Sequence, residues 1–324
     1  MKAALCKSLD GPAGLVIEDI AAPQPGPGEV LIAVKAAALN FFDTLITRGK
    51  YQSKPDLPFS PAAEVAGVIE ALGPGVTGVR MGERVAAYVG WGGAREKVVA
   101  KVDAVVPIPD GVSEAVASGI SVTYGTAIHG LKDRGHLKAG ETVAVLGAAG
   151  GAGLAAVEIA KLMGARVIAV ASSAEKLAVC REHGADEAVN YASADLKDGL
   201  RALTGGRGVD VVYDCVGGDS SEAALRAIAW QGRFLVVGFA SGDIPKIPLN
   251  LLLLKGCDAI GVFWGEAVKR DPGANRANMR QVLDWIAQGK LAPRIHGTYP
   301  LADIREALGV IDRREAVGKV VLAL

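Results

Sequence analysis

Over the first hundred residues, short runs rich in Val, Ile and Ala alternate with Gly and Pro. Residues 29–36 (EVLIAVKA), 66–72 (AGVIEAL) and 84–88 (RVAAY) read as strands, since β-branched clusters there are bounded by turn-formers. Segment 21–29 (AAPQPGPGE) is too rich in proline for helix, and Gly73, Gly75, Gly78 and Gly82 punctuate the chain between strands. Small strands with no long helix between them predict a compact, barrel-like unit. From about residue 141 the period changes. Apolar runs at 141–147, 165–171, 187–190, 209–217 and 232–239 are separated by helical patterns at 154–163, 174–184, 194–203 and 220–229. That alternation predicts βαβ units and a parallel sheet. A helix at 276–288, a short helix at 302–310 and a strand at 318–324 follow, with no fixed-period repeat.

Composition narrows the class. Of 324 residues, 50% are hydrophobic and 42 are glycine, nearly twice the usual glycine share of about 7%. The length favours two domains over one, and the apolar content excludes disorder. Lys+Arg and Asp+Glu are equal at 35 each, so no positive field exists to capture nucleic acid or an acidic membrane. The opening residues meet Asp10 without a signal-peptide core, and the apolar run 249–254 is far short of the ~20 residues that span a bilayer. Cys6, Cys180, Cys215 and Cys257 are scattered without a CxxC pair. The expectation is a cytoplasmic protein with reduced thiols and neither nucleic-acid nor membrane partners.

The strongest chemical signal is GAAGGAG at 147–153, which directly follows an apolar strand and opens a helix. Gly147 permits the tight turn, Gly150 and Gly151 let the backbone approach a pyrophosphate, and Gly153 allows close helix–strand packing. Ala149 and Ala152 complete the loop, whose amides and positive helix end suit phosphate. An NAD site usually carries Asp or Glu about 20 residues on, at the end of the second strand. Here that end is Ala171, Ser172 and Ser173, with Lys176 following and Tyr191 closing the next strand. Hydroxyls and a lysine suit a 2′-phosphate, so NADPH is the expected cofactor, although Lys176 also reads as an ordinary helix lysine.

Further motifs run along the whole chain: ALNFFDTLITRGKY (38–51), EVAGVIEALGPGV with GERVAAY (within 64–88), VVYDCVGG (211–218), RFLVVGFASG (233–242) and GKVVL (318–322). Together they resemble the medium-chain dehydrogenase/reductase superfamily, within it the zinc-free quinone oxidoreductases related to zeta-crystallin. The resemblance implies an α/β fold, with a doubly wound Rossmann sheet inserted in a GroES-like β-barrel catalytic domain. The implied segments are 1–121, 122–261 and 262–324. It also implies homodimers joined near residues 258–263, and cofactor contacts from Ser121, Tyr124, Val216, Gly217, Val237, Gly238, Phe239 and Lys319. Zinc alcohol dehydrogenases of the superfamily carry Cys at the position matching Asn40 and His at that matching Ala63, before Glu64. This chain lacks both, and residues 88–97 lack the four-cysteine lobe. His129, His136, His183 and His296 show no ligand spacing, so no metal is expected.

Without a Lewis acid, an unactivated alcohol is hard to oxidise. A quinone or α,β-unsaturated carbonyl needs only hydrogen-bond donors for the charge that develops on its oxygen. Asn40 is the candidate donor to substrate or cofactor, and Tyr51 the candidate polar lid or proton source. Asp43 shares the motif and reads equally as a local structural residue. Asn40 could instead be a buried turn-former, and Tyr51 an ordinary surface tyrosine. Some relatives have a tyrosine where Leu45 stands and an arginine near Val262, whereas Phe263 and Trp264 add aromatic surface here. An enoyl-thioester (CoA) reductase, for which Lys50, Lys54, Arg270 and Arg276 offer unclustered charge, is the alternative enzyme. A non-catalytic NADPH-binding structural or regulatory protein is the alternative from another class.

Overall fold

The Val- and Ala-rich N-terminal region forms β1 (Lys2–Leu5), β2 (Val16–Asp19), β3 (Glu29–Leu39), β4 (Glu64–Leu72), β5 (Arg84–Tyr88), β6 (Lys97–Lys101) and β7 (Val105–Pro107). α1 (Phe41–Ile46) follows β3, α2 (Glu114–Ser118) follows β7, and α3 (Ser121–Ile128) leads onward, in a computed structural model that describes residues 1–324. β1 and β2 pair with each other as an antiparallel ribbon. β3 organises the rest. Its first five residues pair with β6 and its length with β4, and two register shifts bend it, because bulges kink and twist a strand. Gly67 faces Val34 at the second shift, where a Cβ would stand 2.1 Å from the Ala33 carbonyl oxygen. Only glycine lets the two strands close there.

The alternating region forms β8 (Thr142–Leu146), α4 (Gly151–Leu162), β9 (Arg166–Ala171), α5 (Ala174–Glu182), β10 (Glu187–Asn190), α6 (Leu196–Leu203), β11 (Val209–Asp214), α7 (Asp219–Arg226), β12 (Ile228–Val236), α8 (Asn250–Lys255) and β13 (Asp258–Gly261). All six strands are parallel, in the order β10-β9-β8-β11-β12-β13. β8 is buried along its whole length, as a strand covered on both faces must be. A core of Leu146, Ile168, Val170, Leu200, Val212 and Phe234 forms around the sheet. The order reverses between β8 and β11, the place where sheets of this kind bind ligands, beyond the carboxyl ends of the strands.

The chain then continues through α9 (Trp264–Arg270), α10 (Pro272–Ala287), β14 (Ile295–Pro300), α11 (Ile304–Asp312) and β15 (Lys319–Ala323). β15 lies parallel to β14 and antiparallel to the end of β3, with Val320 opposite Leu39 and Ala323 opposite Ala36. The resulting sheet runs β14-β15-β3-β4-β5-β7, with β6 also on β3. β14 and β7 end that path, and this sheet with its bent β3 is the GroES-like part of the fold. Ile32, Leu39, Val65, Ile69, Val85, Leu308 and Leu322 form its core.

The chain divides into one compact unit of Met1–Val122 with Ala267–Leu324 and another of Thr123–Glu266. The return falls later than residue 262, because Val262 still donates to the Val236 carbonyl and the Trp264 ring packs on Gly125. Among the element boundaries that differ from the sequence reading, two have a clear local cause. The helix expected at 220–229 stops at Arg226, since Ile228 already pairs with Val209 and Gln231, at φ +57°, bends β12 before Arg233 rejoins β11. α10 begins four residues before 276, where the Asp271 carboxylate caps Ala274 and Pro272 fits the first turn. No helix is long and apolar enough to cross a membrane.

Candidate functional site

In the first unit, β3 ends on Asn40, whose extended backbone enters α1. Three residues on, Asp43 is fully buried and accepts from the Asn40 amide at 2.8 Å through Oδ2. Its Oδ1 accepts from the Ala62 amide at 2.9 Å. Ala62 has φ +67°, a region that ordinary side chains avoid, and this hydrogen bond helps hold it just before β4 begins. Glu64, the first residue of β4, is also fully buried. Its Oε2 accepts from the Val122 amide at 2.8 Å, and its Oε1 from Asn40 Nδ2 at 2.9 Å and Lys319 Nζ at 2.8 Å. Lys319 Nζ also donates to Asn40 Oδ1 at 2.6 Å and to the Leu39 carbonyl at 3.1 Å.

An ammonium has three N–H donors, and all three meet oxygens of this unit. Lys319, expected from the resemblance at the cofactor, thus has no donor left for one. Asp43, expected among the catalytic groups, is enclosed, and both its oxygens are engaged by backbone. It positions Asn40 and the approach to Glu64. Burial pushes its carboxyl up to about 7; the two backbone donors and Lys319 oppose this, and Glu64 reinforces it. Tyr51 stacks on Phe42, with ring centroids 5.2 Å apart and an interplanar angle of 27°. Burial, then the Asp43 charge, raises its phenol above the ordinary value, so it stays protonated. Tyr88 pairs opposite Glu64 across β4 and β5 and is raised further by the same cause. Nowhere do three or more His, Cys, Asp or Glu side chains gather as metal ligands.

The second unit builds a different feature from its glycines. Gly147 leaves β8 at φ +68°, and Gly150 donates back to its carbonyl at 3.0 Å before α4 begins. A Cβ on Gly153 would lie 2.2 Å from the Gly147 oxygen, so the helix approaches this closely only with glycine there. The first amides of α4, at Gly151, Ala152 and Gly153, have no acceptor one turn back within the helix. Together with the helix dipole they make a cradle that fits a pyrophosphate. Across the switch point, Asp214 ends β11 and accepts from the amides of Val216 and Gly217 at 2.8 and 3.0 Å and from the Ser221 hydroxyl. The Val216 side chain stands 2.8 Å from where a Gly147 Cβ would be, and Phe239 packs on Gly217. Val237 and Gly238 donate to the Asp214 carbonyl. The structure therefore brings Gly147, Val216, Gly217, Val237, Gly238 and Phe239 together, and Ala149 is buried in the same loop.

Ser172 and Ser173 follow β9, and Tyr191 follows β10, its amide bonded to the Ala171 carbonyl at 3.2 Å. Ser173 caps α5 through the Lys176 amide and also bonds the exposed Glu175 carboxylate, which that bond holds below its usual range. A carboxylate thus stands beside hydroxyls that read as free of one. Ser121 is buried at the start of α3. Tyr124 is buried too, and its hydroxyl donates to Glu158 of α4, whose other oxygen meets His183 Nδ1 at 2.7 Å. That hydroxyl proton is engaged inside the unit. Sequence reasoning missed the Glu64 and Lys319 contacts to Asn40, Asp214 beneath its loop, and Glu158. The last two carried a signal, an acid inside an apolar run.

Residues 26–110 match the alcohol dehydrogenase GroES-like domain, and residues 151–288 the zinc-binding dehydrogenase family. A quinone oxidoreductase-like protein 2 homolog from Nematostella vectensis is 40% identical over 99% of this chain and 88% of its own length. The chain belongs to the quinone oxidoreductase family. Among solved structures of similar proteins, a mycobacterial one complexed with NADPH superposes with a TM-score of 0.93 at 33% identity, covering both chains completely. Escherichia coli quinone oxidoreductase, also complexed with NADPH, gives 0.92 at 27% identity over both full chains. As a member of this family of medium-chain dehydrogenases/reductases, the chain is an oxidoreductase.

The carboxyl of Asp43 makes stability depend on pH with a defined sign. It titrates near the ordinary value of about 4 when unfolded and at about 7 when folded. The folded state binds the extra proton between those values, so this group's contribution is greatest below about pH 4 and is lost as pH rises to about 7. Asp43→Asn removes the titration. Denaturant unfolding of both proteins across this range is expected to show a decline in the parent that the variant lacks, and parallel curves would exclude the raised value.

Proposed function

We propose that this chain is an NADPH-dependent reductase of quinones or α,β-unsaturated carbonyls that works without zinc. The observation that carries the reading is the Asn40 carboxamide, tied by Glu64 and Lys319 with one Nδ2 hydrogen left over. That hydrogen donates to the acceptor's oxygen as negative charge develops there. Tyr51, kept protonated by its surroundings, adds a second donor. The Lys319 ammonium already sits among the oxygens of Glu64, Asn40 and Leu39, and its charge disfavours a metal cation beside it. Bound NADPH supplies the hydride. Gly147, Gly150, Gly151 and Gly153 hold its pyrophosphate, Ser172, Ser173, Lys176 and Tyr191 its 2′-phosphate, and Val216, Gly217, Val237, Gly238 and Phe239 line the rest. Two similar solved proteins complexed with NADPH support this cofactor. Four unpaired cysteines suit the reducing cytoplasm.

We also propose a homodimer. β13 is an edge strand paired only with β12, and Leu249, Leu253, Leu254 and Phe263 around it are more than half exposed. Such an edge invites pairing with a second copy. Sedimentation of the parent is expected to give a dimer, and Leu253→Glu with Leu254→Glu a monomer. A monomeric parent, or a dimer indifferent to both charges, would exclude this surface.

Three acceptors test the activity: 9,10-phenanthrenequinone, a simple enone and crotonyl-CoA, each followed by NADPH oxidation. Turnover is expected with at least one of the first two, and Asn40→Ala should lower it by about 10²-fold, the usual effect of deleting an oxyanion donor. Tight NADPH binding with no turnover of any acceptor would sink the enzyme reading. Preference for crotonyl-CoA alone would move it to the thioester class.

Cofactor choice is tested at α5. Lys176→Ala is expected to weaken NADPH by roughly tenfold or more while leaving NADH nearly unchanged, since a charge-assisted bond to phosphate is lost. Glu175→Gln should act in the opposite direction, because it removes a negative charge beside Ser173. Equal affinity of the parent for NADH and NADPH would overturn the assignment.

A further inference from the structure

Two charged residues from distant parts of the chain meet at the end of β3. Lys319 opens β15 beside Leu39, and Glu64 opens β4 opposite Ala38, so the two flank β3 from either side where Asn40 begins. Lys319 is only 4% exposed and Glu64 not at all. Both reach the Asn40 carboxamide, and they do so with opposite chemistry. An ammonium can only donate and a carboxylate can only accept, so Oδ1 must face Lys319 and Nδ2 must face Glu64. Turning the amide over would set its NH2 against a buried ammonium and its oxygen against a buried carboxylate. Unmatched polar groups of that kind are strongly disfavoured inside a protein. A buried ion pair is also a poor source of stability in itself, since well-packed apolar residues of similar volume often do as well or better.

We infer that Lys319 and Glu64 are positioning residues, a buried pair of opposite charge that fixes which end of the Asn40 carboxamide meets the substrate. The inference rests on the reading of Asn40 as the donor to the acceptor's oxygen. Lys319 is thereby assigned to orientation of a side chain and not to the cofactor, and the Leu39 carbonyl completes its shell. With the pair intact, Asn40 presents an N–H and never its oxygen. Without it, both ends of the amide are available, and the wrong end repels the oxygen on which charge develops.

The experiment compares Lys319→Met, the double variant Lys319→Met with Glu64→Gln, and Asn40→Ala. Three readouts are taken on each: melting temperature, NADPH affinity by fluorescence, and kcat with the best acceptor. Lys319→Met leaves a buried carboxylate unpaired and is expected to melt early. The double variant has no unpaired charge and is expected to regain most of the melting temperature. Its kcat should nevertheless stay below the parent's, by less than the about 10²-fold effect of deleting the oxyanion donor in Asn40→Ala, while NADPH affinity stays within about twofold of the parent. Recovery of kcat together with melting temperature would reduce the pair to a structural role and overturn the inference. So would a large loss of NADPH affinity at unchanged kcat, which would return Lys319 to the cofactor. If Asn40→Ala itself turns over normally, the donor reading fails, and this is distinguishable because the result does not involve the pair.

Discussion

A buried cation needs oxygen around it, and the first unit is arranged to supply three such oxygens. Lys319 cannot be enclosed unless the Leu39 carbonyl, the Asn40 amide oxygen and the Glu64 carboxylate converge on it. Each partner comes from a different commitment of the backbone. Leu39 and Asn40 require the bent β3 to end where α1 starts, and Glu64 requires the left-handed Ala62 just before β4. Asp43 connects these two by bonding both the Asn40 and the Ala62 amides. The bulges of β3 and the close approach at Gly67 then serve to bring β4 into register beside it.

The second unit uses the opposite device, removal of side chains in place of matched charge. Gly153 lets α4 approach β8 within a distance that a single Cβ would forbid, and Gly147 turns the chain into that helix. Asp214 does for the neighbouring loop what glycine does for this one. It engages two backbone amides and a hydroxyl, so Val216 and Gly217 hold a defined conformation. The Tyr124–Glu158–His183 chain anchors the far side of α4, fixing the helix whose first turn carries the unpaired amides.

Much of this was legible along the chain. The parallel sheet, the glycine turn and the alternating helices follow from local period and spacing, since β8 through β12 carry apolar runs between helical ones. Asn40 stood out as a lone amide in an apolar stretch. Its partners did not, because Lys319 lies 279 residues away, and no periodic pattern encodes which lysine closes on which amide. The same limit hid the role of Tyr124, whose hydroxyl meets a helix more than 30 residues on. The short α1 escaped for another reason: with six residues it completes too little of a period to register, whereas β13 lies where the family resemblance puts the last sheet strands. Which strands pair was not legible either, because strand propensity does not report which edges meet.

The interrupted path of the first unit has a consequence for how the chain is made. Synthesis runs from Met1 onward, so every residue of the second unit leaves the ribosome before Lys319 does. The six-stranded sheet can assemble as soon as β13 emerges, whereas β3 lacks β15 until that later strand is translated. Throughout that interval Glu64 and Asn40 lack Lys319, and residues 36–39 of β3 lack their β15 partner. The cation-bound arrangement at Asn40 therefore forms only once β15 has been made, later than every strand of the parallel sheet.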